Sequence, residues 1–246
     1  MPRLAIIGDV HGALDKLELV LPQVHNAHPD AILMVGDLGN DRDLLPSAMA
    51  VLDRVSQLDK PIVFVPGNHD LPDLPDRRLA RNADHRVLEV VGLRIWGIGG
   101  SGPNQWGFPY EWSEDTLKAR RRERADILLA HCPPKNSPLD PTTQGKPAGS
   151  QAMRELLAEG RVEMMLCGHI HESPNCARVE GVICHNAGAL GVPFGAPQFA
   201  VVDWEPGHIQ VRHVVLPYIM KPETAPWCRG LEWGPDSGER SWSFER

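Results

Sequence analysis

Four short stretches and one isolated histidine hold most of the residues in this 246-residue chain whose types and spacing could do metal or acid–base chemistry. They are Asp9-Val10-His11, Gly36-Asp37, Gly67-Asn68-His69-Asp70, His131 and Gly168-His169-Ile170-His171. Alternation along an extended segment points Asp9 and His11 the same way, so both can reach one cation. A single Asp or His at a strand end is usually structural, and such an Asp often caps the following helix. The set is different, because one sheet edge cannot gather so many ionisable groups without a compensating charge. Metal ions supply that charge. Mixed imidazole, carboxylate and carboxamide donors suit Mn²⁺, with Fe or Zn²⁺ as alternatives, better than the all-oxygen shells of Mg²⁺ and Ca²⁺.

The elements that must position these groups can be read around them. Residues 4–7 form a short apolar, β-branched run that stops at Gly8, which reads as a strand buried on both faces. The runs at 31–35 and 61–66 have the same character and end in Gly36-Asp37 and Gly67-Asn68. Helical spacing follows at 13–28, where Pro22 predicts a kink or break, and at 44–58, with Pro46 tolerable in the first turn. Strands alternating with helices argue for an α/β domain with parallel βαβ units.

Further along, 86–91 and 93–98 flank Gly92 as a hairpin, and 99–112 is a loop rich in Gly, Pro and aromatic residues. Ser113 caps a predicted helix reaching about Arg124, whose run from Lys118 to Arg124 reads as a solvated face. A strand at 126–130 delivers His131, and 132–149 is long enough to be a functional loop, with Lys135 and Lys146 available to a phosphate. Ser150 caps another helix closed by Gly160, the strand 162–167 delivers Gly168-His169, and 177–215 holds four strands. His25, His28, His85, His208 and His213 follow no ligand pattern and read as surface residues; His185 lies close to the site.

A formal charge of −7 disfavours tight non-specific nucleic-acid binding, which depends on Lys and Arg neutralising phosphates. Five cysteines without a CxxC read as buried thiols in a reducing compartment. The N-terminus runs into a strand with no basic leader, and no apolar run reaches membrane-spanning length, so the cytoplasm is the expected location. Two units are expected: a catalytic domain over 1–216, and an extension over 217–246 rich in Pro and Trp. Trp227, Trp233, Trp242 and Phe244 should anchor that extension on its own domain or on a second subunit, making the protein a monomer or a homodimer.

In order and context, the five motifs resemble those of the calcineurin-like metallophosphoesterases over residues 4–204. Gly99-Gly-Ser101, Ala130-His-Cys-Pro-Pro134 and Cys167-Gly-His-Ile-His-Glu172 look like the Icc-related phosphoesterases in particular. Asn186-Ala-Gly188 stands where Asn-Pro-Gly often follows GHxH, a mild departure. The resemblance implies two packed mixed β-sheets flanked by helices and a centre of two divalent ions. It places Asp9, His11, Asp37 and His171 on one ion and Asp37, Asn68, His131 and His169 on the other, with Asp37 bridging. A hydroxide between the ions would attack phosphorus, His69 would protonate the leaving oxygen, and Asp70 would orient His69. The substrate implied is a small phosphoester, with a nucleotide-like phosphodiester favoured over a monoester or a nucleic-acid chain. A non-catalytic docking module of the same fold is the rival reading, but such modules show damaged ligand sets, and every ligand position here is intact.

Overall fold

Alternation within the strands sets the architecture. In β1 (Arg3–Ile7), Leu4 and Ile6 face one side while Ala5 and Ile7 face the other, and all four are fully buried. A strand with two apolar faces must be covered twice. Leu4 and Ile6 join the core between two sheets, and Ala5 and Ile7 join the core under helices α1 (Leu14–Asn26) and α2 (Leu44–Val55). The computed structural model describes residues 1–103, 106–191, 195–205, 207–217 and 237–245.

The first sheet has seven strands, with β1 at its centre. The parallel strands β2 (Ala31–Met34), β3 (Ile62–Phe64) and β4 (Ala80–Asn82) lie on one side of it. The antiparallel strands β11 (Gln198–Glu205), β12 (His208–Val215) and β13 (Gly238–Glu245) lie on the other. The second sheet has six strands in the order β5 (Val87–Val90), β6 (Leu93–Ile98), β7 (Ile127–Ala130), β8 (Met164–Cys167), β10 (Val182–Asn186), β9 (Asn175–Val179). Its outer face packs on α3 (Glu114–Ala119) and α4 (Gln151–Ala158) through Leu117, Met153, Leu156 and Leu157. Two mixed sheets between helix layers are therefore present, as expected.

Several elements differ from the expectation. Helix α1 runs through Pro22 as one 13-residue helix, because Leu17, Val20, Leu21 and Val24 keep its stripe on the core. Helix α3 stops at Ala119, with Arg120 extended, since no large apolar residue follows Leu117 before Ile127 to give the chain a face to bury. Residues 120–124 are thus not a helical face: Arg120 lies over the Trp112 ring and Arg122 donates to the Leu117 carbonyl. Strand β4 has no apolar signature and forms by pairing with β3. Cys132, Cys167, Cys176 and Cys184 are buried free thiols, and burial pushes Cys132 up to about 12. Cys228, Trp227 and Trp233 lie outside the described residues.

At the sheet edge, β13 pairs with β12 over eight residues and sets Trp242 and Phe244, both half-buried, against the core between the sheets. Deleting everything after Leu216 should therefore expose that core. At ~1.5–3 kcal/mol for a fully buried aromatic, and less for these, thermal unfolding should move down by ~5–10 °C. An unchanged melting temperature would show that the strand contributes nothing.

His213 is buried, not at the surface, and its imidazole forms an edge-to-face pair with that of buried His185 at 5.3 Å between centroids. Its Nε2 contacts Gln198 Oε1 at 2.9 Å. Burial, helped by Arg240, lowers His213 to about 4, and burial also holds His185 well below the ordinary range. Both are neutral in the fold and take up protons on unfolding near pH 6.5. Their stabilisation is complete above that pH and is lost as pH falls toward 4. In urea titrations with chelator present, His213→Gln should lose ~2–3 kcal/mol less than the parent between pH 7.5 and 4.5. Equal losses would remove His213 as the cause.

Candidate metal centre

The chemistry-bearing residues sit where parallel strands end. Asp9 and His11 follow β1, Asp37 follows β2, Asn68 and His69 follow β3, His131 follows β7, and His169 and His171 follow β8. The first three strands belong to one sheet and the last two to the other, so the centre forms only because the sheets stack. His131 Nδ1 contacts the Val35 carbonyl at 2.8 Å across that junction.

Asp9, His11, Asp37 and His171 each bring one donor atom into a group whose members all lie within 4.8 Å of one another. His11 Nε2 faces His171 Nε2 at 3.1 Å, and His171 Nε2 lies 3.2 Å from Asp9 Oδ1. Asp37 joins this group to the next. Its Oδ2 stands 3.4 Å from His11 Nε2 and 3.5 Å from His131 Nε2. His131 Nε2 in turn lies 2.8 Å from Asn68 Oδ1, and the His131 and His169 rings stand edge to face at 5.0 Å. Four of the residues expected to hold metal thus converge as donors, and Asn68, His131 and His169 stand beside them.

Local backbone geometry supports the close approach. Asp9, His11, Asp37 and His169 all have positive φ, between 43° and 70°, a conformation that is uncommon outside glycine and concentrates at functional sites. Two glycines make room: a Cβ on Gly67 would collide with Asp37 Oδ1, and one on Gly168 with Asp9 Oδ2. The carboxylates are fixed from behind, since the His69 amide donates to Asp37 Oδ1 and the His169 amide to Asp9.

Burial shapes the electrostatics. It works to raise the Asp37 carboxyl, but His131 and His11 outweigh it and hold the group well below the carboxylate range. Burial works to lower His131, and the Asp37 carboxylate reverses that and pushes it up to about 9. His11 goes the other way, lowered to about 4 by burial despite Asp37. Burial and the His131 charge hold His169 well below its ordinary range.

Asp70 does not stand behind His69. Its carboxylate accepts from the amides of Leu38, Gly39 and Gly67 and ties the loops after β2 and β3 together. Burial and the neighbouring Asp37 carboxylate push it up to about 6. The group that meets the His69 ring is Asp41, with Oδ1 2.6 Å from Nδ1. Asp41 escaped the sequence reading because it sits in an aperiodic polar turn, four residues past Asp37.

The loop at 99–112 divides into two parts. Tyr110 and Trp112 are buried in the core beneath α3 and α4. Trp106 and Phe108 are exposed beside the centre: the Phe108 ring lies 4.1 Å from that of His69 and the Trp106 ring 6.3 Å from that of His169. Asn104 and Gln105 lie outside the described residues.

Other proteins resemble the chain to differing depth. A probable cyclic nucleotide phosphodiesterase of Pseudoalteromonas is 29% identical over 187 residues, 69% of this chain and 71% of that protein. A cAMP/cGMP dual specificity phosphodiesterase of Mycobacterium tuberculosis is 29% identical over 190 residues, 69% of this chain and 59% of that one. Among solved structures, a dimetal phosphatase from Danio rerio superposes with a TM-score of 0.59 at 14% identity, over 86% of this chain and 96% of that chain, a likeness of fold. The profile of the calcineurin-like phosphoesterases matches residues 2–173, which takes in every strand end that bears a donor. On that match, the chain belongs to the calcineurin-like phosphoesterase family.

Proposed function

We propose that this protein hydrolyses a phosphodiester at a centre of two divalent cations, with Mn²⁺ the expected metal. The observation that carries the reading is the position of Asp37 Oδ2, within 3.5 Å of ring nitrogens from two donor sets. The donors fit cations on chemical grounds. Imidazole nitrogens and carboxylate oxygens converge in a cradle kept open by Gly67 and Gly168. Asp9, His11, Asp37 and His171 would hold one ion and Asp37, Asn68, His131 and His169 the other. When bound, such ions neutralise a phosphate and make hydroxide available at neutral pH.

The protein's own groups do the rest. The Asp41 carboxylate occupies His69 Nδ1, which leaves Nε2 for the oxygen that departs from phosphorus. Phe108 packs on the same ring and limits its rotation. A diester favours such a donor, since its leaving alkoxide needs a proton. The names of the two phosphodiesterase relatives support the same choice. The test is turnover of bis-p-nitrophenyl phosphate, p-nitrophenyl phosphate and 3′,5′-cyclic nucleotides, each with Mn²⁺ and with chelator. Diester hydrolysis that chelator abolishes is expected. Preference for the monoester would overturn the diester assignment, and activity insensitive to chelator would overturn the metal centre.

A further inference from the structure

Beside the metal centre lies a pocket of about 420 Å³ between Trp106 and the loop at 142–149. Pro103, Lys135, Thr142, Thr143 and Lys146 also line it. Its two walls are built in advance. On one side, the Glu111 carboxylate accepts from the amides of Trp106, Gly107 and Phe108, which fixes the exposed rings without burying them. On the other, the Thr142 amide donates to the Lys146 carbonyl and the Gly145 amide to that of Thr142, closing a tight turn. That turn is tied to the donor-bearing loop through the Thr143 amide and Glu172 Oε1, at 2.7 Å.

The pocket's chemistry is specific. Trp106 is 45% exposed and offers a flat ring. Lys135 and Lys146 enter none of the ion pairs found among the described residues, in a chain whose net charge is −7. An exposed aromatic face with two ammonium groups that pair with no carboxylate among the described residues matches a flat ring that carries an anion of its own.

We propose that this pocket is the subsite for the ester arm that stays on phosphorus, and that it takes a nucleotide arm bearing a second phosphate. The inference rests on the diesterase reading and adds direction to it. Phe108 lies against His69 and Trp106 against His169, so the two exposed rings mark the two arms of the diester. Hydrolysis forms a bond between the hydroxide oxygen and phosphorus and breaks the bond to the arm at Phe108. A proton passes from His69 to the departing oxygen. The product kept in the Trp106 pocket is a nucleoside bisphosphate.

Binding in chelator separates this inference from the activity. By calorimetry on the full chain, adenosine 3′,5′-bisphosphate should bind about tenfold more tightly than adenosine 5′-monophosphate, the size of a charge-assisted contact. The gap should close in Lys135→Ala/Lys146→Ala and persist in Lys135→Arg/Lys146→Arg, while Trp106→Ala should weaken both ligands. With Mn²⁺, the double alanine variant should raise KM for thymidine 3′-phosphate 5′-(p-nitrophenyl phosphate) about tenfold more than for bis-p-nitrophenyl phosphate. Equal binding of the two nucleotides, or a gap that survives removal of both lysines, would overturn the subsite. An intact gap in a protein that cleaves no diester would instead sink the diesterase reading and leave the pocket standing.

Discussion

Asp37→Ala should strip both cations at once and lower diester turnover by at least ~10³-fold, equivalent to ~4 kcal/mol of transition-state stabilisation. The reason is geometric: one oxygen, Oδ2, faces His11 and His131 together. His11→Ala removes a donor from one group only, so it should leave about one ion per chain where Asp37→Ala leaves almost none. The variant also changes the metal-free protein. Asp37 is what raises His131 to about 9 against burial, so the stabilisation that this pair gives the fold is complete below the free imidazole range and is lost as pH rises toward 9. Asp37→Ala removes that stabilisation, so its deficit against the parent should be larger at pH 5 than at pH 8. Elemental analysis and denaturant unfolding at both pH values check the two parts. Two ions still bound to Asp37→Ala would end the bridging role.

What could be read from the sequence was local. Leu4–Ile7 advertises its two faces by composition, and the donors sit one to four residues past such runs, so strand ends and motif residues are found together. What could not be read depends on the partner sheet or on shape. His213 looks like a polar residue of an alternating strand, yet stacking the sheets buries it against His185. The residues of β4 carry no strand pattern because pairing with β3 and local contacts to 74–77 hold them in place. Whether Trp106 or Tyr110 would face the site was undecided by composition, since both are aromatics in one loop. Glu111 settles it by gripping the loop's amides so that the first stays out while the second turns under. Asp70 and Asp41 make the same point for the site. Asp70 adjoins His69 in sequence and Asp41 lies 28 residues from it, yet three backbone amides claim Asp70 and leave the ring to Asp41.

His69→Ala should keep both cations and lose rate by ~10²–10⁴-fold, the range for a general acid. Metal retention follows from the ring's placement. Its Nδ1 is held by Asp41, and it is not among the donors that converge within 4.8 Å. The loss should depend on the leaving group. An alkoxide such as a ribose oxygen departs only as it gains a proton, whereas p-nitrophenolate leaves without one. The deficit should therefore be near the top of the range for a nucleoside diester and well below it for bis-p-nitrophenyl phosphate. Asp41→Asn supplies an internal comparison. The Asp41 side chain is 72% exposed, so its charge is screened and its main contribution is to fix which ring nitrogen carries the transferable proton. A loss of about tenfold is expected, again larger for the poor leaving group. If His69→Ala slows both substrates equally, or sheds a cation, the residue holds metal or structure and the proton comes from elsewhere.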